Sequence, residues 1–295
     1  MRTATLVLTA GLLALASPLR ASNPPADQVT ILYDAFGRRA GLTRDWGFAA
    51  LVEYHGTRIL FDTGNNAAVF EHNVRALGVD LRRLDFVVVS HRHGDHTSGL
   101  NYLLEVNPRV RIYAPREGFG VFGNAVPYAF VRRDSTLPAE QRYFGGRMPD
   151  TLVSGTPWPA ADVVWIDSTT RIAPGVSIVA TVSDRPGTLE LRELSLVLET
   201  PKGTVVLVGC SHPGIERIME AASRRSTHPH LLFGGLHLVT TPDAEIERMA
   251  VSLHDRFKLD RIAPGHCTGE PAFAAFRRRF GPSYVYAGLG ERVSI

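Results

Sequence analysis

Ser90-His91-Arg92-His93-Gly94-Asp95-His96 directly follows the run Leu84-Asp85-Phe86-Val87-Val88-Val89. A short, nearly continuous apolar run suits a strand buried on both faces. The loop leaving it carries three histidines and one aspartate within six residues. His91 and His93 are spaced to converge on one cation, and Asp95 and His96 then face a second position. A mixed imidazole and carboxylate set suits zinc, manganese or iron at a catalytic site better than at a thiolate-rich structural one. So short a loop cannot enclose an ion, so further ligands must come from distant parts of the chain. A merely solvated histidine loop is the weaker alternative.

On the N-terminal side, residues 48–54 and 58–62 read as a hairpin closed by His55-Gly56-Thr57. Asn65-Asn66 opens a helix with apolar positions at Val69, Phe70, Val74 and Leu77, ended by Gly78. Residues 29–33 are an earlier strand. On the C-terminal side, residues 99–106 read as a helix stopped before Pro108, with Gly99 freeing its start, and 110–113 as the next strand. The pattern weakens over 117–170, which is long for a loop and reads as an insertion, a candidate lid with short elements of its own. Regular runs resume at 176–180, 194–199, 204–209, 231–235 and 261–265, with helical stretches at 214–223 and 245–257. Four buried strands each lead into histidine: the His91 cluster, Cys210-Ser211-His212, His237 and His266. That arrangement places an active site at one edge of stacked sheets.

The chain has 295 residues, 44% hydrophobic and 21% charged, with a net charge of +3. These are ordinary globular values, sufficient to bury a core without disulfides. The densest basic run, Arg277-Arg278-Arg279, reads as a solvated helix face, so no nucleic-acid partner is expected. The start resembles an export signal: Met1-Arg2, an apolar stretch over 3–16, and Ala14-Leu15-Ala16 as a cleavage pattern, with Ala21 as a second candidate end. The stretch is too short to span a bilayer comfortably. Residues 1–21 are therefore expected to be a signal peptide and leader. Residues 22–295 are expected to form one domain, periplasmic or secreted, without stable membrane insertion after cleavage. The two cysteines, Cys210 and Cys267, each lie close to a histidine. They could pair or border a metal site, and spacing does not decide which.

His91-x-His93-x-Asp95-His96 after an apolar strand, preceded by Phe61-Asp62-Thr63-Gly64, resembles the metallo-β-lactamase superfamily. Gly209-Cys210-Ser211-His212-Pro213-Gly214-Ile215, Gly234-Gly235-Leu236-His237-Leu238, Gly265-His266-Cys267-Thr268-Gly269 and Ala287-Gly288-Leu289-Gly290-Glu291-Arg292 are more particular. They resemble the branch containing the archaeal 7,8-dihydropterin-6-methyl-4-(β-D-ribofuranosyl)-aminobenzene-5′-phosphate synthases. The resemblance covers nearly the whole mature chain, most weakly over 117–170. It implies the α/β class and an αββα sandwich with two divalent metal ions between loops at one edge, zinc first, with manganese or iron as alternatives.

Carried over by residue, the resemblance gives His91, His93 and His212 to the first metal and Asp95, His96 and His266 to the second. Cys210 stands near the position where wider relatives carry a bridging aspartate, so it either bridges, ligates or sits just outside. His212 could itself take the bridging geometry. The stretch 180–184, where many relatives have a third histidine, has none. Asp62 is expected to orient a ligating imidazole, or else to be a turn residue. Thr268 and Gly269 are candidates to bind an anionic group. His55, His72, His228, His230 and His254 are given no role.

The chemistry implied is hydrolysis of a small-molecule ester, lactone, amide or phosphoester by a metal-bound hydroxide. Asp95 would accept the nucleophile's proton and His237, facing the cleft, would contact the substrate or protonate the leaving group. The alternatives are a transferase like the pterin-forming synthases, or a non-catalytic metal-binding protein on the same scaffold.

Overall fold

His55 and Gly56 take positive φ values of 48° and 81°, the pairing that closes a tight hairpin with the twist of its strands. This turn joins β2 to β3 in the first half of the chain. In the computed structural model that half contains β1 (Gln28–Tyr33), β2 (Ala49–Tyr54), β3 (Thr57–Phe61), α1 (Ala67–Ala76), β4 (Phe86–Val88), α2 (Gly94–Thr97), α3 (Leu100–Val106), β5 (Ile112–Pro115) and β8 (Val163–Ile166), with β6 (Val126–Pro127) and β7 (Thr151–Leu152) as a separate pair. The second half contains β9 (Thr170–Ala173), β10 (Val176–Val182), β11 (Arg192–Thr200), β12 (Gly203–Val208), α4 (Ile215–Ser223), β13 (Pro229–Gly235), α5 (Asp243–Val251), β14 (Arg261–Gly265), α6 (Glu270–Phe280) and β15 (Arg292–Ser294). The structure describes residues 27–116, 126–127, 132–147, 151–152, 158, 160–224 and 228–295. The export segment read at 1–21 lies outside the described residues. No described helix is long and apolar enough to cross a membrane.

Two sheets face each other. One has seven strands in the order β15-β1-β2-β3-β4-β5-β8, the other six in the order β14-β13-β12-β11-β10-β9. Between them lies a core that includes Phe48, Phe61, Val88, Leu196, Leu207 and Phe233. Alternation along each strand sends the other side chains outward under helices. Val87, Val89 and Ile112 pack with Phe70, Leu100 and Leu103 of α1 and α3. Val206, Val208 and Leu232 pack with Ile218, Met249 and Phe276 of α4, α5 and α6. The layers are therefore helix, sheet, sheet, helix, the αββα sandwich.

Local signals explain the elements that carry the site. Asn66 caps α1 by accepting hydrogen bonds from Ala68 and Val69 N–H at 2.9 and 3.2 Å. At its other end, Gly78 at φ 69° lets the chain leave. Gly99 does not serve as the sequence suggested, because its φ of −68° is ordinary helix. Glycine is needed there because a Cβ would collide with the Thr63 carbonyl. The expected insertion over 117–170 also needs a correction at its end. Val163–Ile166 is an edge strand pairing in parallel with β5, so the main sheet resumes at Val163 and the smaller sheet at Thr170. Its weak sequence signal reflects partial exposure of three of the four residues. The Arg277–Arg279 triplet lies on α6, where Arg277 donates to Gln141 and Arg278 and Arg279 pair with Glu247 and Asp255.

Candidate metal centre

β4 ends two residues before Ser90, and β12, β13 and β14 run parallel beside one another in the facing sheet. Their C-terminal ends meet at one edge of the sandwich. The backbones approach so closely that a Cβ at Gly209 would strike Ser90. This convergence brings together residues far apart in the chain, such as His96 and His266, 170 positions apart.

Two donor triads result. In the first, His91 Nε2 lies 3.0 Å from His93 Nδ1, which lies 3.1 Å from His212 Nε2. In the second, His266 Nε2 lies 3.2 Å from His96 Nε2 and 3.3 Å from an Asp95 oxygen. Ligands about 2.0–2.1 Å from a tetrahedral ion are roughly 3.3 Å apart, so both spacings match. Cys210 Sγ lies 3.2 Å from His96 Nε2 and groups with both His91 and His96, one donor from each triad. A thiol there stands between the two triads. His212 belongs with His91 and His93 rather than between the triads. The end of β10 supports the loop carrying it, since the Ser183 hydroxyl donates to the His212 carbonyl at 3.2 Å. A third donor group consists of Cys210, His237 and Cys267, with the two sulfurs 3.3 Å apart and both cysteines unpaired.

Burial pushes His91 and His212 well below the usual histidine range and His93 down to about 4. These rings are therefore neutral, with lone pairs to offer. His96 is also penalised by burial, but the carboxylates of Asp62 and Asp95 outweigh it and hold the ring up at about 9. Burial opposes ionisation of Asp95, yet His96 and His266 hold its carboxyl far below the ordinary range. Nδ1 of His212, His237 and His266 is buried without a hydrogen-bond partner. Neutral His91, His93 and His212, converging with His96, His266, the anionic Asp95 carboxylate and the Cys210 thiol, form a donor set that fits a pair of divalent ions.

Hydrogen bonds from behind set the ligand orientations. Asp62, fully buried at φ 57°, accepts from His96 Nδ1, Ser90 N and Ser90 Oγ, each at 2.7 Å. His96 thus presents Nε2 to the centre, as ligating histidines require. Ser90 Oγ also lies 2.9 Å from His91 Nδ1, so Asp62 reaches the first triad through one hydroxyl. Glu193 on β11 was not singled out from the sequence. Its carboxylate accepts from the N–H groups of Cys210, Ser211 and His212 at 2.9, 2.7 and 2.8 Å. Asp34 was missed as well, and it accepts from His266 N at 3.0 Å. Both are completely buried, and burial pushes each to about 7 against those hydrogen bonds.

His237 sits beside the first triad, its ring centroid 4.3 Å from that of His212. Burial lowers its pKa, but the hydrogen bond and charge of Cys267 outweigh this and raise it. His266 also packs against Trp46, with centroids 5.1 Å apart. The groups expected to contact an anion at Thr268 and Gly269 have internal partners. The Thr268 hydroxyl is taken up by the Gly265 carbonyl and Leu236 N–H, and Gly269 N donates to Tyr143 Oη at 2.7 Å. Outside the centre, His228 and His230 contact Asp260, His254 contacts Asp255 and His72 contacts the Gly41 carbonyl.

Comparisons with known proteins bear on the family and the fold. A family model described as a β-lactamase superfamily domain matches residues 57–209. The chain is 27% identical over 294 residues to the 7,8-dihydropterin-6-methyl-4-(β-D-ribofuranosyl)-aminobenzene-5′-phosphate synthase of Methanocaldococcus jannaschii, covering 89% of this chain and 94% of that one. It is 29% identical over 262 residues to an uncharacterised protein of the same organism, covering 84% and 93%. Among solved structures, Tm1679, described as a metal-dependent hydrolase of the β-lactamase superfamily, superimposes with a TM-score of 0.69 at 25% identity, covering 91% of this chain and 99% of its own.

Proposed function

The chain belongs to the β-lactamase superfamily, and from that premise we propose that it is an exported di-metal hydrolase of small-molecule esters, lactones, amides or phosphoesters. The observation that carries this reading is the pair of donor triads sharing one strand-end edge, with Cys210 between them. His91, His93 and His212 would hold one ion, Asp95, His96 and His266 the other, and Cys210 would ligate at the bridge. Two divalent ions there, zinc first, supply an activated water and a Lewis acid for the developing oxyanion.

The chain's own residues do the rest. Asp95, anionic and beside His266, would orient the nucleophile by accepting its hydrogen bond at the carboxylate. His237, kept protonatable by Cys267, is placed to donate a proton to a leaving group.

Metal analysis and turnover test this together. The purified mature protein should carry one to two equivalents of transition metal and turn over at least one ester, lactone, amide or phosphodiester in a panel. His93→Ala should lose both properties. Absence of metal after reconstitution with zinc or manganese would overturn the reading. A second reading, a synthase-like transfer, is favoured by the 27% identity to the pterin-forming relative over 94% of its length. Metal-loaded protein that hydrolyses nothing in the panel but condenses a dihydropterin with an aminobenzene ribofuranoside would favour it instead.

A further inference from the structure

We propose that Glu193 and Asp34 are a matched pair of positioning residues: each is a buried carboxylate that clamps, through backbone N–H groups, the loop delivering ligands to the centre. Glu193 serves the Cys210–His212 side and Asp34 the His266 side. The inference rests on the reading of the centre as a metal site.

The argument begins with what the backbone does at these loops. Ser211 has φ 63° and His266 has φ 46°, a left-handed conformation that a non-glycine residue holds only when its surroundings force it. At 210–212 three successive N–H groups turn to one side and form a concavity that accepts an anion. In this chain that anion is internal: both oxygens of Glu193 are committed to Cys210, Ser211 and His212. The Ser211 hydroxyl then ties the same loop to β13 by donating to the Gly235 carbonyl at 2.8 Å. Across the centre, Asp34 uses one oxygen for Ala35 N at 2.7 Å and the other for His266 N at 3.0 Å. Gly265 is held so near this carboxylate that a Cβ would crowd it.

A fully buried carboxylate is costly unless its hydrogen bonds repay the lost hydration. The return here is geometric. Cys210 Sγ and His212 Nε2 extend from the residues whose N–H groups Glu193 grips, and His266 Nε2 extends from the residue that Asp34 grips. Neither carboxylate touches an imidazole of the two triads through any side-chain hydrogen bond found among the described residues. They act on ligand position through the main chain, whereas Asp62 acts directly on a ring. The two halves of the centre therefore have separate supports, and each should fail separately.

The test is a two-step cobalt titration of the full mature chain against a competing chelator, with His212→Ala and His266→Ala assigning each step to its triad. Glu193→Gln keeps size and shape but turns an NH2 toward a backbone N–H. It should weaken the His91–His93–His212 ion about 10–100-fold, the range for losing such a supporting partner, and the Asp95–His96–His266 ion less, since Glu193 reaches that ion through Cys210 alone. Asp34→Asn should show the reverse preference. Equal weakening of both ions in both variants would assign the carboxylates to general stability and overturn the proposal. So would unchanged affinities in folded variants.

A measurement on the unmutated protein guards against misfolding of the variants. In chelator-treated wild type, the amide protons of Cys210, Ser211 and His212 should exchange slowly, because Glu193 already holds them. Fast exchange in an otherwise protected fold would also overturn the proposal. If wild type binds no cobalt, zinc or manganese but keeps these amides protected, the metal reading fails while the clamp geometry stands.

Discussion

Asp62→Asn is the substitution that most directly tests how the centre is organised. The wild-type carboxylate has three donors around it at 2.7 Å, namely His96 Nδ1, Ser90 N and Ser90 Oγ. The amide keeps the volume and one acceptor oxygen, so Ser90 N can stay satisfied. Its NH2 replaces the oxygen shared by His96 Nδ1 and Ser90 Oγ. Serine can adapt, since a hydroxyl also accepts. The histidine can adapt only by carrying its proton on Nε2, where the ion would bind. Binding must then restore Nδ1–H against an opposing N–H donor. Loss of such a supporting partner typically lowers metal affinity about 10–100-fold, or about 1.4–2.8 kcal/mol. The loss should fall on the Asp95–His96–His266 ion. The first ion should lose less, because it feels Asp62 only through Ser90 and His91. Ser90→Ala should invert the pattern, freeing His91 Nδ1 while leaving the His96–Asp62 contact in place. Competition against a chromogenic chelator measures both steps, with circular dichroism reporting the fold. Two steps within threefold of wild type in folded Asp62→Asn would refute the tautomer argument.

Three further outcomes are expected. Thiol counting should find Cys210 shielded while metals are bound and reactive after chelation. Aerobic chelation should then form a Cys210–Cys267 disulfide, given sulfurs 3.3 Å apart; equal reactivity in both states would remove Cys210 from the centre. Protein isolated from its native host should begin near Ser17 or Ser22 and lie outside the cytoplasm, whereas an intact Met1 in the cytoplasmic fraction would contradict export. Glu216 on α4 is held at about 2 by hydrogen bonds from Arg248 and Ser252. Its folded value is below its ordinary value of 4.5, so its contribution is present above pH 4.5 and is lost as pH falls toward 2. Discounted for exposure, Glu216→Gln should cost about 1 kcal/mol at pH 6 and nearly nothing at pH 2. A cost independent of pH would refute that origin.

What the sequence discloses about the centre depends on how each residue is attached to it. The His91–His96 cluster, His212, His237 and His266 all follow apolar strand runs, so periodicity places them at strand ends. Topology then gathers them, because β12, β13 and β14 are parallel neighbours and β4 faces them. Glu193 and Asp34 carry no such signature. Each is a single carboxylate at a strand boundary, and what it binds is backbone, which has no residue identity to read. The partners lie 17–19 residues away for Glu193 and 232 away for His266. The false anion site at Thr268 and Gly269 has the same origin: a glycine turn with a hydroxyl looks available until Gly265, Leu236 and Tyr143 are found using it.

Cys210 shows how a change of residue type can leave geometry intact while changing chemistry. A carboxylate at that strand end would offer two oxygens to two ions, whereas a thiolate offers one larger, softer atom. The Cys210 side chain groups with His91 and His96. What differs is the company the atom keeps. A carboxylate would have no use for a second sulfur, but Cys267 stands at 3.3 Å with His237 beside it. Burial drives the Cys210 thiol upward, while Cys210, His266 and His237 hold Cys267 below its ordinary value despite burial. Burial thus favours the protonated form of Cys210. A thiolate ligand at Cys210 requires that proton to leave, so metal uptake should release it and become tighter as pH rises. Cys267→Ser should ease loss of the Cys210 proton by removing a neighbour that opposes it, and so strengthen uptake near neutral pH, and Cys210→Asp should reduce the pH dependence by supplying a ligand already ionised. Identical pH dependence in wild type and Cys210→Asp would show that the thiol at 210 never reaches an ion.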